Sequence, residues 1–242
     1  MNLSQCRVVV TGGTGTLGSA LVPLLEEKGA FVIAPTRKEM NITDGHSVGS
    51  FFSKGRGSGC DIVIHCAAYT NVPDAQLPAN HRKVINTNIL GTGYISSWAK
   101  QNHFKMAYIS TDYVYEGVKG NYEITDIPKP FCFYGYSKLA GESFVPSNGL
   151  VLRTSFLPRG YWGEDALKMV FSDVYTSKDW VDVIAAKIIE RLGDRGVYTI
   201  GTERKLLKDL AIQEYPEVEE VEVGTLNFVY KYPKDSSMRV DT

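Results

Sequence analysis

The sequence has little of what commits a chain to a metal, a membrane or a nucleic acid. Its four cysteines, Cys6, Cys60, Cys66 and Cys132, are scattered and form no CxxC pair. That spacing implies neither a disulfide framework nor a zinc knuckle. Cys6, Cys60 and Cys66 lie in or beside apolar runs, as buried free thiols do, so a reduced, cytoplasmic setting is expected. The four histidines, His46, His65, His81 and His103, stand at no metal-ligand spacing, and no metal is expected. A formal net charge of −1 provides no global field for nucleic acid or an anionic membrane, so neither is expected as a partner. No run of about 18 apolar residues is present to span a bilayer. The opening "MNLSQCRVVVTGG" lacks the basic start and long apolar run of a signal peptide.

What the 242 residues do contain is alternation. "RVVVT" (7–11), "FVIA" (31–34), "CDIVIHCAA" (60–68), "FKMAYIST" (104–111) and "LVLRTSF" (150–156) read as strands buried on both faces. Between them, "TLGSALVPLLEEKG" (16–29), "HRKVINTNILGTGYISSWAKQN" (81–102) and 135–145 read as helices. Strand and helix in turn imply an α/β fold, a doubly wound parallel sheet with helices on both faces. The second half alternates more loosely. It offers a helix over 180–192, a strand over 196–201, a helix over 205–215 and a half-exposed strand in "EVEEVEV" (217–223). "SKGRGSGC" (53–60) reads as a surface loop, and "KDSSMRVDT" as an irregular edge. Residues 1–156 are expected to form a Rossmann-type nucleotide domain carrying the catalytic residues. Residues 157–242 are expected to complete its sheet and add a small C-terminal substrate-binding lobe.

"VVVTGGTGTLGSAL" places Gly12, Gly15 and Gly18 between a buried strand and an amphipathic helix. One glycine permits the tight turn, one lets the backbone approach a pyrophosphate, and one lets helix and strand pack closely. The helix N-terminus then offers N–H groups to phosphate. The motif in this context reads as a dinucleotide site rather than a glycine-rich turn with no ligand. NAD-binding chains usually place an acid at the end of the second strand, to hold the ribose 2′-hydroxyl. Here "FVIAPTRKEMN" has none at 34–38, but has Thr36, Arg37 and Lys38. Arg37 can pair with a 2′-phosphate, so NADP(H) is preferred, with NAD(H) as the other option.

Three YxxxK pairs occur. Tyr115–Lys119 lies among glycines and Tyr230–Lys234 contains Pro233, so only Tyr134–Lys138 opens a good helix. The i,i+4 spacing puts both side chains on one face and turns Tyr136 away from Lys138. A free phenol has a pKa of about 10. A neighbouring ammonium and an oxidised nicotinamide would lower it, and the tyrosine could then protonate a carbonyl as hydride arrives. "AYISTDYVYEG" (107–117) supplies Ser110 and Thr111 at a strand's C-terminal end, where a carbonyl could be oriented, although a lone threonine is by default a cap.

With "NITD", "DIVIHCAAYTNVPDAQ", "NTNILGT", "YGYSKLAGE" and "LRTS", these motifs resemble the extended short-chain dehydrogenase/reductase family, in its dTDP-4-dehydrorhamnose reductase branch. The resemblance implies that Thr111, Tyr134 and Lys138 are catalytic. It implies that Gly12, Gly15, Thr16 and Leu17 line the pyrophosphate, with Asn41 and Ile42 beside the adenine. Ala67, Ala68 and Tyr69 follow the cofactor, and Lys138 also holds its ribose. Thr70 and Val72 face the substrate, with Thr111 and Tyr134. The implied reaction is NADPH-dependent reduction of the 4-keto group of a nucleotide-linked deoxysugar, in a protein of a superfamily that often forms homodimers. The connection after Ser155, "FLPRGYWGEDALKMVFS", is compact, so the substrate-side loop reads as shortened, and Tyr232 stands where the family pattern has arginine. An epimerase of the same fold and a non-catalytic NADP-binding regulatory subunit are the alternatives. Asp112 followed by Tyr113 rather than Glu counts against dehydration.

Overall fold

The structure, a computed structural model, describes residues 2–163, 167–226 and 232–240. The first half runs β1 (Arg7–Thr11), α1 (Thr16–Glu27), β2 (Phe31–Ile33), α2 (Gly45–Ser53), β3 (Ile62–His65), α3 (Val72–Ala75) and α4 (Pro78–Val84). A π-helical turn (Ile85–Gly91) leads into α5 (Thr92–Asn102), β4 (Lys105–Thr111), α6 (Phe133–Glu142) and β5 (Leu150–Thr154). The second half contributes β6 (Phe156–Leu157), β7 (Met169–Phe171), β8 (Tyr175–Thr176), β9 (Asp179–Trp180) and α7 (Val181–Arg191). After these come β10 (Gly196–Ile200), β11 (Lys205–Leu206), α8 (Leu207–Glu214) and β12 (Glu219–Val221).

Six strands form one parallel sheet in the order β10-β5-β4-β3-β1-β2. Successive side chains of a strand point to opposite faces, and both faces are covered. Val8, Val10, Ile62, Ile64 and Leu152 pack against leucines of α1 and isoleucines of α7. Val9, Val63, Met106, Tyr108 and Val151 pack against Phe51 and Phe52 of α2 and Ile95 of α5. The strand order reverses between β1 and β3, and an open α/β sheet opens its ligand crevice at the carboxyl ends beside such a switch point. A smaller cluster, with Leu157, Trp162, Trp180, Leu207 and Leu210, joins the elements of the second half over those ends.

Three expectations need correction. The helix read over 81–102 starts at Pro78 and is interrupted by the π-helical turn, whose extra residue carries Asn88 into the interior, where it is 1% exposed. The helix read over 16–29 ends at Glu27, because Gly29 takes φ +80°. "KDSSMRVDT" is not an edge through its described part. Asp235, Ser236, Ser237 and Met238 are buried, and Ser236 Oγ donates to Asp112 Oδ2 at 2.8 Å. Period-based reading missed this segment because it has no repeat: its burial is secured by hydroxyl hydrogen bonds rather than by an apolar stripe.

Candidate active site

A cleft of about 580 Å³ opens at the carboxyl ends of β1, β3, β4 and β5. Its first wall is the glycine turn. Gly12 has φ +68°, and a Cβ there would lie 2.9 Å from the Ala67 backbone. A Cβ on Gly18 would strike the Gly12 carbonyl, so the third glycine is what lets α1 pack on the turn. Gly15 caps α1 without a side-chain hydrogen bond, and the first-turn N–H groups of the helix are therefore open to a ligand. Thr154 Oγ1, also on the cleft, is buried and lacks a partner among the described residues. A cradle that only glycine fits, an open helix N-terminus and an orphaned hydroxyl suit a diphosphate-bridged nucleotide. Among the described residues no cluster of three or more His, Cys, Asp or Glu could hold a metal ion.

Gly12, Gly15, Thr16, Leu17, Gly18, Arg37, Asn41, Ile42, Ala67, Ala68, Thr70 and Val72 all line this one cleft with Thr111, Tyr134 and Lys138. Tyr69 does not. Its N–H donates to Asn88 Oδ1 at 2.7 Å, and its carbonyl accepts from Asn88 Nδ2 at 3.2 Å, which fixes its backbone beside the cleft. Arg37 is exposed at the cleft's outer wall. Its turn is a capping box: Thr36 N and Oγ1 donate to Glu39 Oε2 at 2.8 and 2.9 Å, and Arg56 holds the other oxygen at 2.6 Å. The Glu39 carboxylate, near the end of β2, is thus already engaged.

Helix α6 presents Tyr134 and Lys138 to the cleft, one turn apart. Tyr136 is 56% exposed and lies off the cleft, turned away from Lys138 as its spacing predicts. Of the decoy pairs, Tyr115 is buried against Tyr122 while Lys119 pairs with Asp126 outside. Tyr230 lies outside the described residues. Lys138 is 3% exposed, with its Nζ 4.2 Å above the Tyr108 ring. Burial lowers its pKa to about 7, against the pull of Cys66 and Glu142. The phenol of Tyr134 shifts the opposite way from the expectation. Burial and the Asp112 carboxylate raise its pKa, and only a hydrogen bond with Thr111 opposes them. The tyrosine is therefore held protonated. Thr111 is also the cap that its type suggests, accepting from Tyr113 N at 3.2 Å.

Three buried polar groups that the sequence reading left out hold these parts in place. Arg153 grips Glu142 through Nε at 3.0 Å and Nη2 at 2.7 Å, and Ser110 Oγ donates to the same carboxylate at 2.6 Å. This ties β4, β5 and α6 together, and it uses up the Ser110 hydroxyl. Asn88 Nδ2 donates to Ser137 Oγ at 2.8 Å, which donates to the Tyr134 carbonyl at 2.7 Å. His65 links the ends of β1 and β3 to the start of α5. Thr92 Oγ1 donates to Asn88 O at 2.7 Å, so it accepts from His65 Nε2 at 3.1 Å, and His65 Nδ1 accepts from Thr11 Oγ1 at 2.7 Å. Burial lowers the His65 pKa to about 3 and keeps the ring neutral. Asp112 and Lys178 also line the cleft unanticipated. The motif "STDYVYEG" drew attention to Asp112 only as half of an absent pair, and Lys178 sits in no motif.

Comparison with known proteins gives consistent matches. The family described as RmlD substrate binding domain matches residues 6–189. The dTDP-4-dehydrorhamnose reductase of Aggregatibacter actinomycetemcomitans is 32% identical over 189 residues, covering 76% of this chain. The chain spans 62% of that protein's length. Among solved structures, dTDP-4-dehydrorhamnose reductase from Bacillus anthracis in complex with NADP superposes with a TM-score of 0.85 at 25% identity, covering 98% of this chain and 91% of that one. A hypothetical dTDP-4-dehydrorhamnose reductase from Sulfolobus tokodaii gives 0.84 at 29% identity, with 97% and 92% covered.

Proposed function

The chain belongs to the RmlD substrate binding domain family, and from that premise we propose that it is a cytoplasmic, NADPH-dependent reductase of the 4-keto group of a nucleotide-linked deoxysugar. The observation that carries this reading is the meeting of a glycine cradle with Thr111, Tyr134 and Lys138 in one cleft. In this reading residues 1–156 hold the cofactor and residues 157–242 supply the substrate side.

When bound, the reduced nicotinamide supplies a hydride to the substrate's carbonyl carbon. The glycine turn and the α1 N-terminus would hold its diphosphate, Arg37 the 2′-phosphate, and Lys138 the ribose. Tyr134 gives its proton to the carbonyl oxygen. Burial and Asp112 oppose ionisation of the phenol, so its proton would leave only as the arriving hydride makes the carbonyl oxygen basic. Lys138, with a pKa near 7, can carry the positive charge that stabilises the phenolate left behind. Thr111 orients the carbonyl. The Thr111 hydroxyl donates to Asp112 Oδ1 at 3.0 Å and would swing that proton to the carbonyl oxygen of the substrate, while Asp112 also accepts from Ser236.

The test is a panel of nucleotide-linked 4-keto sugars, with NADPH consumption followed by absorbance. Consumption with at least one is expected; none with any would leave a non-catalytic NADP-binding subunit as the better reading. Titration with NADPH and NADH checks the cofactor. Arg37→Ala should weaken NADPH at least ~10-fold, as loss of a charge-assisted pair does, and leave NADH unchanged. Light scattering reads the homodimer that the resemblance implies.

A further inference from the structure

The segment after Pro233 is held in place without help from the Ser236 hydroxyl. On one side, Tyr175 N donates to Lys234 O at 2.8 Å, Ser236 N to Tyr175 O at 3.2 Å and Met238 N to Ser177 Oγ at 3.1 Å. On the other, Asp235 N donates to Gly117 O at 3.0 Å and Tyr122 N to Ser237 O at 3.0 Å. Asp235 also holds Arg204 through one oxygen and accepts from Ser237 Oγ on the other at 2.6 Å. Ser236 is 3% exposed between these anchors, and its side chain has one partner: Oγ donates to Asp112 Oδ2 at 2.8 Å. Ser236 does not line the cleft, so any effect it has on the chemistry passes through Asp112.

Asp112 is 2% exposed and enters no ion pair among the described residues. Its side chain accepts two hydrogen bonds there, from Thr111 Oγ1 on Oδ1 at 3.0 Å and from Ser236 on Oδ2. An ionised carboxylate has room for about four, and a buried charge short of donors holds tightly to those it has. The Thr111 proton, however, has two destinations. In the proposed reaction it leaves Asp112 for the substrate carbonyl. With Ser236 in place, the carboxylate keeps one donor when Thr111 turns away. Without Ser236 it would keep none, and the Thr111 hydroxyl would stay directed at Asp112. We propose that Ser236 is a positioning residue for the reduction: by supplying a lasting donor to Asp112, it releases the Thr111 hydroxyl to the substrate. This rests on the reading of Thr111 as the group that orients the carbonyl.

The experiment is single-turnover NADPH oxidation with the nucleotide-linked 4-keto sugar of the panel that the wild type reduces fastest. It compares the wild type, Ser236→Ala, Ser236→Cys, Asp112→Asn and the double variant Asp112→Asn with Ser236→Ala, and NADPH binding is followed in parallel by fluorescence. Cysteine fills the space of serine but is only a weak donor. Ser236→Ala and Ser236→Cys should each slow the reaction at least ~10-fold, the loss expected for a hydrogen bond to a charged group, with NADPH affinity unchanged. In Asp112→Asn no buried charge holds Thr111, so adding Ser236→Ala should change the rate less than ~2-fold; the cycle isolates the coupling. A wild-type rate in Ser236→Ala overturns the assignment and leaves the reductase reading in place. An equal loss on adding Ser236→Ala to the wild type and to Asp112→Asn also overturns it, because the serine would then act through packing. Recovery of the rate by Ser236→Cys, or loss of NADPH affinity in both serine variants, has the same meaning. If the wild type reduces no sugar of the panel, the reductase reading fails and the assignment falls with it.

Discussion

Glu142→Gln is the perturbation that asks most of this structure. The Arg153–Glu142 pair is bidentate, its side chains are 6% and 9% exposed, and Ser110 adds a third hydrogen bond to the same carboxylate. Glutamine keeps the shape, removes the charge and turns an amide N–H toward a guanidinium that only donates. Arg153 would retain Tyr115 Oη at 2.7 Å as an acceptor but lose its counter-ion. Breaking a buried pair by removing one partner costs about 3–5 kcal/mol, a large share of the roughly 5–15 kcal/mol that a domain has. A fall in Tm of roughly 10 °C is expected for a chain of this size. Urea unfolding followed by circular dichroism measures it. Replacing both partners, as in Glu142→Met with Arg153→Met, should recover much of the loss, because no charge is then stranded. The pair also touches the chemistry. Glu142 opposes the fall in the Lys138 pKa, so Glu142→Gln should move the basic limb of kcat to lower pH. A single variant as stable as the wild type, or a double variant no better than the single, would refute the reasoning.

Gly12→Ala should cost about 1–3 kcal/mol from its left-handed backbone alone. It should also weaken NADPH binding more than ~10-fold, since the methyl group meets Ala67 in the cradle; fluorescence titration reads the second effect. His65 has a pKa of about 3 in the folded protein against an ordinary value of 6.5. The unfolded chain therefore binds more protons between these values, and the stability this group contributes above pH 6.5 is lost as pH falls toward 3. In His65→Gln the slope of stability against pH in that window should be shallower by up to one proton; an unchanged slope would show that the ring does not stay neutral. Lys138 works in a higher window. With a folded pKa near 7 and an ordinary value of 10.5, it makes the fold more stable as pH rises between them. Lys138→Met should accordingly gain Tm at pH 7 and lose that advantage by pH 10, read by calorimetry.

The sheet was legible because each of its elements repeats a period. The valines of β1 and the leucines of α1 advertise strand and helix from local sequence alone, and the glycines between them are dictated by backbone geometry. The pair Tyr134–Lys138 was legible for the same reason, as one helical turn. What was not legible depends on contacts between distant segments. Asn88 enters the core only through an extra residue in a π-helical turn, which leaves no signature in hydrophobic spacing. Ser236 reaches Asp112 across 124 positions of sequence, and Lys178 reaches the cleft from a two-residue strand. The sign of the Tyr134 shift was also out of reach: the lysine was visible in sequence, but the burial and the buried Asp112 that raise the phenol's pKa were not.

The central claim is that Tyr134 is the proton donor and Tyr136 is a bystander. The direct measurement is NADPH oxidation with a nucleotide-linked 4-keto sugar by Tyr134→Phe and Tyr136→Phe, with NADPH binding measured in parallel. Loss of at least ~100-fold in kcat for Tyr134→Phe, with cofactor binding intact and Tyr136→Phe near the wild-type rate, is the predicted result. Full turnover by Tyr134→Phe would contradict it.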